Sequence, residues 1–587
     1  MDRLKNIFVL ICTLSNIIFG SAQEIPISKN NQEIASNFQE SIFVHFNGTT
    51  FVSGETLMYS LYCLNSKSNI KSTISKIGYL EILDQNHKNV YKSKINIENG
   101  IGNGDVFIPT SFHNGIYKMV FYTNWMINKS ENSFFEQDIM IINPFESIND
   151  NKNISNQINL DVKNQNTEII NNNNSIIENK IKLELEKKVF FNREKVNLKL
   201  KPIDTKFLKG NYSISIRKKE DLSLQNQLNA IEYTKSNNQT TNLSSNTQLH
   251  LPELRGELLS GTIIAKKTGK EIKDKTITLS IPCENFVFKT TKTNDLGQYI
   301  FILDKFPNNT NTIIQIMDED RDEYILNIEN SNEIDLKKIN FTSEFNISPQ
   351  YKKAIEARSI ASQIENAFYK NKKDSIITNP KTNSFFHTLE KEYILDDYTR
   401  FSTLKETITE VLSEVYYKQK NKQYSIHLRE NSNTAEAFGN PLIMVDGVLI
   451  QDINELFDID MSTVFKVSLV NQPYVYGTSI FSGIINFVTK DTNYQTKATG
   501  NFIKKTTILR PSNTKIYFKP DYSNSTQNDR IPDYRIQLLW EPNFILENTE
   551  TTITFYTSDV SGDYEIMIEG FLENGIPVSE KESFNVN

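Results

Sequence analysis

The stretch NPLIMVDGVLIQDINELFDI, Asn440 to Ile459, changes character twice within twenty residues. Its apolar run Leu442–Val445 stops at Asp446-Gly447, a pair that suits a two-residue hairpin turn because both turn positions need positive φ. A short helix then crosses, and VFKVSLV, Val464 to Val470, alternates as a strand that pairs back. Upstream, TLKETITEVLSEV sets Leu404, Ile408, Val411 and Val415 on one helical face ahead of the strand QYSIHLRE. Downstream, in YVYGTSIFSGIINFVTK, Gly477 and Gly483 mark tight turns flanking Phe481. Helical and strand periods alternate, so the segment reads as a small α/β unit.

These five pieces, in this order, resemble the plug of TonB-dependent receptors over residues 401–495. The most specific parts are Pro441-Leu442-Ile443 leading into Val445-Asp446-Gly447-Val448, then Tyr476-Gly477, then Ser482-Gly483-Ile484-Ile485 running into Thr489-Lys490. In that family the plug lies near the N-terminus and a 22-stranded barrel follows, which needs at least about 200 residues at 9–11 per strand. Only 97 residues follow Lys490, and they lack alternating aromatic girdles, so the expectation is that no barrel forms from this chain alone. No segment matching a TonB box is evident near Gln23.

The rest reads as β-sandwich modules. Short alternating runs from Ser41 to Pro144, broken by Gly and Asn, signal an antiparallel sandwich. With Gly54-Glu55 as its turn, residues 23–146 resemble a macroglobulin-type domain. Residues 147–180 are Asn-rich and poor in aromatics, and are expected to be a linker. Residues 181–256 resemble the first strands of a second macroglobulin-like sandwich that stops early in a long polar loop. In residues 257–345 the turn at Thr268-Gly269 and the Asn294–Tyr299 turn resemble a carboxypeptidase-regulatory-like, transthyretin-like sandwich, a module without peptidase chemistry. Residues 346–400 read as a helical connector with Ala354, Ala357, Ile360, Ile364 and Phe368 on one face, and 496–587 as terminal macroglobulin-like strands. The expected class is therefore mainly β and multidomain, with antiparallel β-sandwiches plus a small α/β plug-like domain.

Residues 1–22 read as an export signal: Arg3 and Lys5 precede the apolar run Ile7–Phe19, and small residues end it at Gly20 and Ala22. The mature chain is expected to begin at Gln23 and to be held peripherally at the periplasmic side of the outer membrane. No later segment reaches 18 apolar residues, so no transmembrane helix is expected. A net charge of −7 supplies no basic field to gather nucleic acid. Cys63 and Cys283 fall in different modules and read as gap-fillers rather than a bridge.

No catalytic constellation emerges. The six histidines are too scattered for a metal-binding helix, GELLSGT lacks the lysine of a phosphate loop, and the thioester motif of trapping macroglobulins is absent. Asp318, Asp320, Asp322 and Glu329 match the spacing of a calcium loop, but Glu323 stands where glycine is required and YILNI alternates as a strand, so a solvated hairpin turn is expected. The chain is thus read as non-enzymatic, with no cofactor and no metal. The resemblance implies an outer-membrane β-barrel as partner, docked on or occluded by the plug-like domain, whose motif residues are Asp446, Gly447, Tyr476, Gly477 and Gly483. Tyr474, Tyr476, Ile480 and Phe481 are the candidate contacts. The alternative is a macroglobulin-like envelope protein that binds proteins or proteases without a thioester.

Overall fold

A computed structural model of the chain describes residues 39–128, 134–146, 179–219, 222, 227–236, 250–304, 309–329, 334–343, 345, 347–377, 383–429, 439–523 and 530–587. The expected export signal, nearly all of the linker and most of the polar loop lie outside these residues. The chain is mainly β, built from three sandwiches and one α/β unit.

In the first sandwich, Glu40–Phe46, Thr56–Asn65 and Ile101–Phe107 form one sheet. The other runs Thr50–Val52, Phe135–Ile142, Gly115–Thr123, Ile77–Leu83 and Asn89–Asn96. Phe43, Phe46, Phe121 and Phe135 fill the space between them. The alternation of SIFVHF does not translate into one wet face, because all of Glu40–Phe46 is buried. A second sandwich covers the polar side: His45 Nδ1 lies 2.7 Å from Ser213 Oγ, Ser60 Oγ donates to the Pro542 carbonyl, and Tyr62 Oη donates to the Glu569 carbonyl.

That second sandwich corrects the reading of two separate partial modules. Gly210–Lys218 pairs on one side with Gln537–Leu546 and on the other with Gly562–Leu572, and Thr551–Tyr556 pairs with Lys195–Pro202. The early and late pieces are halves of one domain with a single core, in which Ile214 and Ile216 meet Leu539, Ile566 and Ile568.

Everything between those halves is an insertion, and the third sandwich is itself interrupted. Glu257–Ala265 lies between Gln298–Leu303 and Tyr324–Ile328. The facing sheet is Val287–Lys292, Thr276–Ile281, Asn311–Ile316 and Ile503–Thr507. Its seventh strand thus comes from beyond the α/β unit, well past the expected boundary at residue 345. The α/β unit has the sheet order Lys391–Ile394, Val464–Val470, Ile484–Thr489, Leu442–Val445, Val448–Leu449. Helix Leu404–Glu410, capped by the Thr403 hydroxyl, buries Leu404 and Ile408 against that sheet.

The connector helix Lys352–Ala367 presents a different face from the one its apolar spacing suggests. Arg358, Ser359, Ala361 and Ser362 are buried, whereas Ile360 is 55% exposed. The reason is electrostatic: Arg358 clamps Glu55 through Nε and Nη2 and donates to the Thr50 carbonyl, and the small serines let the helix approach Gly54. Among the described residues, no helix is long and apolar enough to cross a membrane.

Candidate functional site

The Asp446-Gly447 pair forms the expected two-residue turn, with Val445 paired to Val448 and φ of +51° and +78° at the two turn positions. The aspartate does more than turn the chain. Its Oδ1 accepts from the Thr489 amide at 2.7 Å, and its Oδ2 accepts from the Thr489 hydroxyl at 2.6 Å and the Tyr494 amide at 3.1 Å, tying the turn to the end of the neighbouring strand. Burial pushes its carboxyl above the usual range, against the pull of these donors. Gly447 sits face to face with Phe286 of the third sandwich, where an added Cβ would lie 2.2 Å from the ring. Gln315 Nε2 donates to the Leu449 carbonyl and Gln451 Nε2 to the Ile316 carbonyl, so the α/β unit is fastened to that sandwich along a strand. Gly447→Ala is expected to cost about 2 kcal/mol, from left-handed strain and displacement of Phe286, read as a lowered urea midpoint with unchanged slope.

A second hairpin, Tyr474–Tyr476 with Ser479–Phe481, extends from the same sheet. Gly477, at φ +59°, makes its turn and approaches Thr290 so closely that a Cβ would lie 2.2 Å from the threonine hydroxyl. Gly483 follows; there a Cβ would meet Leu428 at 2.2 Å and the Val470 carbonyl at 2.3 Å.

The four candidate contacts divide. Tyr474 Oη donates to the Phe385 carbonyl at 2.7 Å and Tyr476 Oη to the Phe288 carbonyl at 2.6 Å. The Tyr476 ring centroid lies 4.2 Å from that of Phe385, and burial pushes its phenol up to about 12. Phe481 is buried among Phe288, Phe386, Leu442 and Met444. These three aromatics are therefore engaged within the chain, which corrects their assignment as free partner contacts: a hairpin lying on a sandwich must bury one of its faces. Ile480 is the exception at 52% exposure, and it pairs across the hairpin with Val475, 67% exposed. Val475 was missed in the sequence, although a two-residue turn at Gly477-Thr478 pairs it with Ile480 across the hairpin and so places both on one face.

Other candidate chemistry disperses. Lys275 lies against Asp318 and Asp320, Tyr324 Oη donates to Asp320, and Glu329 takes the Ser260 hydroxyl, so the acidic run faces several separate partners. Burial pushes the Cys283 thiol up to about 11, far from a thiolate nucleophile at neutral pH. Among the described residues no group of three or more His, Cys, Asp or Glu side chains is arranged to hold a metal ion.

No family model and no curated protein matches the chain. Among solved structures it is similar to Escherichia coli alpha-2-macroglobulin activated by porcine elastase, at 9% identity and TM-score 0.22, covering 93% of this chain and 44% of that one. It is likewise similar to Salmonella alpha-2-macroglobulin reacted with methylamine, at 8% identity and TM-score 0.22, covering 94% of this chain and 40% of that one. The chain thus spans less than half the length of the macroglobulins it matches.

Proposed function

We propose that this chain is a non-enzymatic, exported envelope protein whose α/β unit docks on, or occludes, an outer-membrane β-barrel of a transport or secretion complex from the periplasmic side. The observation that carries the reading is the hairpin, whose inner face is locked to the third sandwich while Val475 and Ile480 form a cross-strand apolar pair facing outward. A rigid two-residue apolar patch suits insertion into a partner without reordering the unit itself. Five of the six described strands after Thr489 support the reading too, because Ile503–Thr507 and the four strands of 537–586 join sandwiches, while Lys515–Ile516 pairs with Ser375–Ile376.

A photo-crosslinker at position 475 tests it in intact envelopes. The expected adduct joins this chain to a heat-modifiable outer-membrane barrel. Val475→Asp with Ile480→Asp should weaken recovery of that barrel by roughly 2 kcal/mol or more, with thermal unfolding unchanged. Adducts formed only with soluble proteins would reject barrel docking. The two sandwiches packed face to face, through mixed polar and aromatic contacts such as His45 with Ser213 and Tyr62 with Phe571, favour a second reading, a macroglobulin-like protein-binding envelope component without a thioester. Adducts with a protease, formed from the sandwiches instead, would support it.

A further inference from the structure

A cleft of about 600 Å³ lies between the α/β sheet and the loop of the third sandwich that carries Glu284 and Phe286. Its floor is unusual for a sheet face. Register places Glu392, Ser468 and Asn486 side by side across three strands, whereas neighbouring positions of that face, Leu442, Val470 and Ile484, pack against Phe288 and Phe386. Ser468 is 1% exposed, and its hydroxyl makes no hydrogen bond.

The wall carries a buried carboxylate. The Glu390 side chain is only 6% exposed, and its Oε2 accepts from the Ser384 hydroxyl at 3.2 Å and faces His387 Nδ1 at 3.4 Å. Among the described residues no lysine or arginine pairs with it; two lysines line the cleft, of which Lys466 is paired with Glu392 and Lys490 lies at the end of the strand that carries Asn486. A carboxylate this deep needs a cation or extensive hydrogen bonding to offset its lost hydration. The Phe286 and Phe386 rings, 6.3 Å apart, line the same cleft as apolar walls.

We propose that this cleft receives an arginine side chain presented by an extended peptide segment of a partner protein. The planar guanidinium supplies a forked donor pair for Glu390, further N–H groups for the orphaned Ser468 hydroxyl, and a flat face for the partly exposed Phe286 ring. The volume falls in the range of ligand-sized pockets and exceeds what one side chain fills, which leaves room for the flanking backbone. The site is separate from the Val475–Ile480 patch and stands whether or not that patch meets a barrel.

Calorimetry on the whole chain with acetyl-Gly-Arg-Gly-amide tests the proposal. Saturable binding is expected, weakened about ten-fold or more by citrulline in place of arginine, by Glu390→Gln in the protein, and by putrescine in place of the peptide. Absence of saturable binding below about 10 mM overturns it, as does equal binding of the citrulline peptide or equal binding by the Glu390→Gln chain. Putrescine binding as tightly as the peptide would assign the cleft to free amines and reject a peptide ligand. Should Glu390→Gln fail to fold, the comparison of arginine with citrulline on the unaltered chain decides the matter alone.

Discussion

Glu257→Ala is expected to lower the stability of the chain by about 3–5 kcal/mol, because it strands two buried cations at once. Glu257 is 1% exposed at the start of a strand of the third sandwich. One carboxylate oxygen pairs with Lys94 of the first sandwich at 2.5 Å, and the other accepts from Arg510 Nη1 at 2.9 Å. Arg510 Nη2 also donates to the Thr312 hydroxyl. The triad therefore fixes the third sandwich against the first. The same physics separates its origin from its magnitude. Replacing all three members with apolar residues of similar volume should be close to neutral, since the desolvation cost disappears together with the attraction. Glu257→Gln, which keeps an acceptor but not the charge, should fall between the two. Urea midpoints of the three variants check the order, and an Ala variant within about 1 kcal/mol of the unaltered chain would show that the triad is not a tie between the sandwiches.

The local elements were legible because each rests on a near-neighbour pattern. Asp446-Gly447 announces its turn through the backbone freedom of two adjacent residues, and Leu404 and Ile408 announce a helix through their spacing. What could not be read is what lies against what. Ser215 and Gln537 bond across 322 residues, so the two halves of the second sandwich looked like two incomplete modules. The strand Ile503–Thr507 looked like part of a terminal module for the same reason, although it completes the third sandwich. Pairing partners are chosen by tertiary geometry, and a strand's own alternation does not say which sheet it joins.

The candidate site shows the same division at the level of single side chains. The aromatics of QPYVYGTSIFSG stood out by composition, but composition does not say whether a ring faces solvent or the sandwich behind it. Tyr474 and Tyr476 are half-buried because that face of the hairpin lies against Phe385 and Phe288, and the alternation that turns them inward turns Val475 and Ile480 outward. In the connector helix, a single Arg358–Glu55 pair outweighs the apolar stripe, because a buried arginine must meet its carboxylate wherever the helix sits.

Two other buried carboxylates make stability fall as pH rises, the reverse of the usual behaviour of surface acids. Glu253, 1% exposed, accepts from Tyr79 Oη and the Leu258 amide; Glu569, 3% exposed, accepts from the Ala230 amide and the Ser579 hydroxyl. Burial pushes both up to about 7 from 4.5. With the folded value above the unfolded one, the native state binds more protons between those limits. Stability is then fully present below about 4.5 and is lost as pH climbs to about 7, by roughly 3 kcal/mol for each group. His45 acts in the opposite sense: burial pulls it down to about 3 from 6.5, so its contribution grows as pH rises between those values. Where the windows overlap, from about 4.5 to 6.5, two glutamates outweigh one histidine by roughly 1.4 kcal/mol for each pH step. The test is differential, so that other titrating groups cancel. Glu253→Gln and Glu569→Gln are each expected to match the unaltered chain at pH 4.5 and to exceed its stability by roughly 3 kcal/mol at pH 8, as urea midpoints at the two values would show. A difference that stays constant across that range would mean that these carboxyls do not change their proton between folded and unfolded chain.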